Sequence, residues 1–539
     1  MPLVKHRAAF KMEASPNTAA PQTEEMPKSS PLPNVGDLIF VGVCQLLLYM
    51  RPNYLFSDGS TGWHLVTGQH VLTSHAIPRV DLMSYTFTGK PWVAYEWLSD
   101  AIMAFIVNIG GLGTLACVVA LSIALLVLSL YQRMRSEGAH FAACMFFSLV
   151  GLIASANHWL VRPHLFTFWG VYLFYVRLED FYRNKISAKR LFAWLLPTML
   201  IWVNCHPAFL FGFAICGLYL CVTTGSALAA PGDDSLAPYK LSRAVRTKQA
   251  VTLLVLLVAL VATTFINPYG IELYKYIREY LHGTSILAVT DEFKSPDFKG
   301  NLHAIFLEIL MSLFALGLFL RGRVTVPTLA MCIAFNHLAL TSVRNISLYA
   351  TVVLPALGRL FATAKGGWLT PSSPLGKQWQ KFQKATGEFD KQERVSNYHL
   401  LPILYAVVVL VMTVFALPGA VKSTFDPEIQ PVATLDYIAQ NKLPAEHGFN
   451  FDNWGGIIRY KLNMPVYIDD RADFYGEQFY QDYGRICETK PGWQELLDKK
   501  QIDWVLFPKE SFLANALKLD KNWQLKSSDQ ASVLYTRVK

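Results

Sequence analysis

Carboxylates, imidazoles and indoles crowd the stretch DGSTGWHLVTGQHVLTSHAIPRVDLMSYTFTGKPWVAYEWLSD, residues 58–100. Asp58 follows directly on an apolar block. His64, Asp81, Glu96 and Asp100 come after it, with Trp63, Trp92 and Trp97 interleaved. A carboxylate at such a place can take the proton of a hydroxyl nucleophile or ligate a divalent cation. Asp58, Asp81 and Glu96 are therefore the candidate catalytic groups, and Asp58 is also the candidate ligand for a Mg or Mn ion. Plainer uses compete with this: DGS is a helix-capping sequence, and indoles anchor many proteins at a membrane surface. His64, His70 and His75 lack the i, i+4 spacing of a zinc-binding helix, so no zinc trio is expected.

Five shorter stretches repeat the theme: ANHWLVRPHLF, WVNCHPAF, INPYG, VTDEFKSPDF and TSVRN. They supply Arg162, His164, Asn204, His206, Asn267 and Arg344, which join His64 as candidate binders of an anionic substrate, with Asp291, Glu292 and Lys294 nearby. A guanidinium suits a phosphate because its fork of N–H groups matches the oxygens. Ionisable groups at membrane depth cost about 2.5–3.5 kcal/mol each and usually mark function. Any one alone can be a helix end or an interhelical hydrogen bond. RPHL and NPYG also read as ordinary Pro- and Gly-bearing turns.

The elements that must position these groups are apolar. Of 539 residues, 53% are hydrophobic and 16% charged, where a soluble domain carries roughly 25% charged. Mean hydropathy is +0.29. Candidate spans fall at 37–56, 112–131, 141–156, 165–177, 191–204, 208–223, 249–266, 303–320, 325–340, 344–360 and 398–421, about eleven in all. Basic residues fill alternate loops, including Arg133 and Arg135, Arg183 to Arg190, Lys240 to Lys248, and Lys365 to Lys391. By the positive-inside rule those loops and the Pro-rich tail 1–36 are cytoplasmic. The net charge of +9 thus sets topology, and no nucleic-acid partner is expected. Residues 93–109 then lie along the outer interface without crossing it, which makes 57–111 a long outer loop. Loop 361–397 reads as a solvated linker. Eight cysteines with no CxxC argue against a disulfide framework.

After residue 421 the pattern changes. Strand-like FNFD, PVYID, WVLF and SVLYTRV alternate with helical patterns at 433–441, 475–487, 492–499 and 510–518. Residues 422–539 are therefore expected to form a small extracytoplasmic α/β domain following the membrane domain 37–421. Asn453 and Trp454 in NWGG, and Asp469, Asp470 and Arg471 in YIDDRAD, follow predicted strands, the edge where α/β sheets bind ligands. The Gly pair is not GxGxxG, so no dinucleotide site is expected.

Together DGSTGWHLVTGQ, IPRVDLMSYTFTGKPWVAYEWLSD, RPHLFTF, WVNCHPAFLFG, INPYG, EFKSPDF, SVRNISLYA, NWGGIIRYKL and VYIDDRADFYG resemble the GT-C class of polytopic glycosyltransferases, in particular a bacterial glycosyltransferase-like group. The resemblance implies a bacterial inner-membrane enzyme. It would take a polyprenyl-phosphate-linked sugar from the bilayer lipids and pass it to a glycan, lipid or protein acceptor. Asp58 matches the class's early acidic residue, as base or cation ligand. The expected roles are phosphate binding by Arg162 or Arg344, substrate positioning by Asp81, Glu96 and His164, and acceptor selection by the outer domain. The rival readings are a non-enzymatic assembly subunit whose outer domain binds a partner and, further off, a lipid or solute transporter, against which the lack of internal repeats counts.

Overall fold

In a computed structural model, residues 30–229, 241–282, 291–364, 372–396 and 398–538 are described. Loop residues 283–290 and 365–371, and most of the tail 1–36, lie outside them.

Helices stand at every predicted apolar place: α1 (Val35–Gln45, extended by a π turn to Met50), α3 (Trp97–Ser136), α4 (Phe141–Ser155), α5 (Leu165–Tyr182), α6 (Ala188–Cys205), α7 (Leu210–Leu228) and α8 (Arg243–Thr264). Beyond these come α10 (Leu302–Phe319), α11 (Val326–Thr341), α12 (Ile346–Thr363) and α14 (Leu400–Val414), with α2 (Thr61–Ser74) and α9 (Ile271–His282) between spans. Six of the described helices are long and apolar enough to cross a membrane, and three more are shorter and apolar. The predicted surface helix 93–109 starts at Trp97, because 93–96 form a turn. Its axis ends at Gly110–Gly111, where Gly111 takes φ +74° and ψ −172°. Only glycine enters that region without strain, so a helix before the break can lie apart from the span after it.

The end of the bundle opposite Asp58 is fastened by charge. Glu137 meets Arg133 at 3.2 Å, Arg183 at 2.5 Å and Arg359 at 2.9 Å. The expected linker 361–397 is largely helix: α13 (Pro374–Val395) is capped by Ser373. It is pinned by Arg135 to Asp390 at 2.8 Å and by the Tyr131 hydroxyl to Glu393. Those long-range partners hold in place a sequence too polar to form a core-facing helix alone.

The tail folds on a four-stranded sheet of order β1-β2-β4-β3. β1 (Gly448–Asn450) runs parallel to β2 (Trp504–Pro508); β4 (Ser532–Arg537) is antiparallel to β2 and to β3 (Trp523–Ser528). Helix α15 (Val432–Asn441) packs against β3 and β4, and α16 (Gly455–Leu462) packs against α2. One expected strand is absent from the sheet, and one strand in it has no counterpart in the sequence reading. PVYID is not a sheet strand: Val466 pairs with Ser84 of the long outer loop, its N–H donating to Met83 O at 3.0 Å. β3 carries the mostly exposed WQLKSS, whose weak alternation hides an edge strand. One tail core gathers Phe449, Tyr467, Val505 and Leu513. A second core is shared: Trp454, Ile457, Leu506 and Leu534 pack in one cluster with Phe40, Leu55 and Ala116.

Candidate functional site

The loop between α4 and α5 is tied to the start of the long outer loop by Val161 N–H to Leu55 O (2.9 Å) and Thr61 Oγ1 to Val161 O (3.1 Å). This sets Arg162 beside Asp58. Its Nη1 lies 3.2 Å from Asp58 Oδ2 and 2.6 Å from Glu292 Oε1. Asp58 Oδ1 accepts the Ser60 N–H at 2.8 Å and the Ser60 hydroxyl. Asp58 is thus both a cap and the partner of Arg162. The Arg162 guanidinium holds Glu292 well below the usual carboxylate range. The turn bearing Glu292 is fixed by Ser342 Oγ to Glu292 O (2.7 Å), and Arg344 lies over Phe293 at 4.6 Å.

Behind Arg162 sit buried imidazoles and a buried acid. His164 Nε2–H donates to His158 O at 2.5 Å. His206 Nδ1 accepts from Thr167 Oγ1 (2.8 Å) and from Ala208 N–H (3.3 Å). That leaves Nε2–H aimed at Glu96 Oε1, 3.7 Å away. Burial pushes Glu96 up to about 8, against a downward pull from Arg162 and Arg344, so this acid is largely neutral near pH 7. Burial, with Arg162, lowers His164 to about 4. Burial, with Arg344, also drives His206 down. His64 Nδ1–H donates to Asp100 Oδ1 at 2.7 Å.

The tail closes the cluster from above. Gly59 and Gly62 abut Asn453 and Gly456 so closely that a Cβ on them would lie 2.1 and 2.2 Å from tail backbone. Trp63 Nε1 donates to Asp470 Oδ1 at 2.7 Å. Burial raises the Asp470 carboxyl well above its usual value; Asp58 and Asp469 raise it further and Arg162 opposes. Asp470 therefore shares one electrostatic neighbourhood with Asp58. It is not the partner of the adjacent Arg471. Arg471 reaches Asp81 and Asp469, each at 2.6 Å, and lies over Trp92 at 4.5 Å.

Several predicted residues have structural work instead. Asp81 also accepts from Ser84 N–H (2.9 Å) and Oγ (2.7 Å), so with Asp469 and Arg471 it forms a clamp between loop and tail. Trp454 is buried and its indole N–H donates to Ile429 O at 2.9 Å, while Asn453 is exposed. Asn204 accepts from Trp97 Nε1 and donates to Leu200 O and Ile266 O. Asn267 closes its own turn through Thr264 O and Tyr269 N–H. A cation on Asp58 finds little support: its oxygens serve Ser60 and Arg162, and among the described residues no three His, Cys, Asp or Glu gather to hold a metal. The residues do not fit a Mg or Mn site.

Sequence reasoning gave no role to Asp100, Trp63 or Glu292 as partners of His64, Asp470 and Arg162. The separations are 36, 407 and 130 residues, and no local spacing encodes them.

No family model matches the chain, and no curated protein matches it. Solved structures do. The archaeal oligosaccharyltransferase AglB from Archaeoglobus fulgidus, in complex with an inhibitory peptide and a dolichol-phosphate, superposes with TM-score 0.54 at 13% identity, over 94% of this chain and 74% of that one. The Archaeoglobus fulgidus enzyme tethered to an acceptor peptide with an NVT sequon gives TM-score 0.51 at 11% identity, over 94% and 74%. Its apo form gives 0.51 at 12%, over 88% and 69%. The chain has the fold of these oligosaccharyltransferases, the GT-C architecture that its sequence resembles.

Proposed function

We propose that this protein is an integral membrane glycosyltransferase that moves a sugar from a polyprenyl-phosphate-linked donor to an extracytoplasmic acceptor. The observation that carries the reading is one convergence. Arg162, Arg344, Asp58, Glu96 and His206 come from four separate loops to one end of the bundle, beneath a tail bearing Asp470. Two guanidiniums at the outer end of apolar helices are the chemistry a lipid-linked phosphate needs: charge for the head and hydrocarbon for the chain. A related fold has been solved with a dolichol-phosphate.

In this reading Arg162 and Arg344 take the phosphate. Asp58 keeps Arg162 placed, and Glu292 gives way as the donor's phosphate arrives. Neutral Glu96 adds a hydrogen-bond donor without adding repulsion. The tail, in contact with the outer loop at Gly59 and Gly62, bounds the acceptor's side. The residues would sit in the outer leaflet of a bacterial inner membrane, with the N-terminus inside.

The test is turnover of a panel of radiolabelled polyprenyl-phosphate hexoses and pentoses by the purified protein, reconstituted with membrane extract as acceptor. Asp58→Ala and Arg162→Ala should abolish transfer while both variants stay folded in detergent. Full activity in either would sink the assignment. An assembly subunit without turnover would leave every donor intact and would tolerate Asp58→Asn.

A further inference from the structure

Beside the Arg162 cluster lies an acid–imidazole pair that the reading above leaves unused. His64 Nδ1–H donates to Asp100 Oδ1 at 2.7 Å, with side chains 2% and 1% exposed. A carboxylate on Nδ1–H fixes the tautomer and leaves the Nε2 lone pair as the ring's acceptor. Among the described residues, no protein group hydrogen-bonds Nε2.

Neighbours hold the pair in place. Trp63 lies against the imidazole with ring centroids 3.7 Å apart, and its own N–H is engaged by Asp470. Asp100 sits in the first turn of α3, its N–H donating to Glu96 O at 3.0 Å. Helix α2 crosses so closely that a Cβ on Gly68 would lie 1.9 Å from Asp100 O. The second carboxylate oxygen, Asp100 Oδ2, is buried with no partner among the described residues. A buried acceptor without a donor normally costs about 1–3 kcal/mol. Burial, with Glu96, raises the Asp100 carboxyl well above its usual value, and a positive ring on His64 would draw it back towards the carboxylate. Burial, with Arg162, His164 and Arg471, holds the ring neutral near pH 7, and Asp100 and His206 are the other titratable groups coupled to it.

We propose that His64 is the base of the transfer step and Asp100 its positioning residue, an inference that rests on the donor class proposed above. The acceptor's O–H proton passes to His64 Nε2 as the acceptor oxygen bonds to the anomeric carbon. The bond from that carbon to the phosphate oxygen breaks, and its electron pair leaves with the polyprenyl phosphate. The imidazolium so formed faces Asp100. Asp58, committed to Ser60 and Arg162, places the phosphate side.

The experiment follows turnover of the active polyprenyl-phosphate sugar against pH for wild type, His64→Gln, His64→Ala with and without added imidazole, and Asp100→Asn. Binding of the bare polyprenyl phosphate is measured in parallel. His64→Gln should cut kcat about 10²-fold or more, the range of general-base loss, with binding unchanged and the acidic limb of the profile removed. Imidazole should restore part of the His64→Ala rate. Asp100→Asn should lower kcat without altering phosphate binding. An active wild type with a fully active His64→Gln overturns this proposal alone. So does a loss shared by rate and binding, or the absence of imidazole rescue, since a purely structural His64 would behave that way. A wild type that turns over no donor overturns the donor class and this proposal with it.

Discussion

Arg471→Met should release the tail from the long outer loop. The guanidinium is 5% exposed and lies between Asp81 and Asp469, both 0% exposed at the side chain. Removing it leaves two carboxylates buried without their cation. Breaking a buried pair from one side costs about 3–5 kcal/mol, because the partner's desolvation stays uncompensated. At 1.4 kcal/mol per decade that is roughly a hundred- to several-thousand-fold in the opening equilibrium. Opening would expose the backbone bonds on either side of the clamp: Val466 N–H to Met83 O at 3.0 Å and Tyr85 N–H to Val466 O at 2.9 Å. Native-state hydrogen exchange in detergent, followed on peptides spanning 79–92 and 462–472, reads these directly. The expected result is exchange faster by that factor in both peptides and unchanged exchange in α10 and α12. Asp81→Asn combined with Arg471→Met should cost less than the sum of the single changes, as coupled neighbours do. Unchanged exchange in Arg471→Met, or strict additivity, would refute the clamp.

Glu96 should make stability depend on pH. Its folded value is raised to about 8 from an ordinary 4.5, so the folded state binds the extra proton. Its stabilising share is complete below pH 4.5 and is lost as pH rises through about 8; Tm measured against pH should fall over that window and flatten in Glu96→Gln. Gly62→Ala should push α2 off α16, since the new methyl would meet Gly456 backbone at 2.2 Å. Overpacking of this kind costs about 1–3 kcal/mol, readable in thermal unfolding and in faster exchange at 455–462. Trp454→Ala should cost about 3–5 kcal/mol as a core deletion, while the exposed neighbour change Asn453→Ala should shift stability by less than about 0.5 kcal/mol.

Hydropathy made the helices legible, because lipid leaves the backbone few other choices. The break in α3 falls at the Gly110–Gly111 pair. What remained hidden is long-range. Loop 361–397 is Lys- and Gln-rich, and its helix depends on Arg135 and Tyr131, which come more than 250 residues earlier in the chain. PVYID carries a strand's composition but pairs with residue 84 of the outer loop, a partner no sequence window contains. Within the site, residue types pointed to charge at the outer end but not to its balance. Asp58 and Glu292 share Arg162, whereas Glu96 and Asp470 are driven upward by burial. The cluster therefore holds its anions in two ways: two paired with a guanidinium and two pushed towards the neutral acid. In the proposed reading an incoming phosphate displaces Glu292 from Arg162 and meets no added repulsion from Glu96. That economy comes from burial, which only the packing of the tail on the outer loop supplies. The tail thereby joins the site electrostatically through Asp470, while Trp454 and Asp469 bond within the tail.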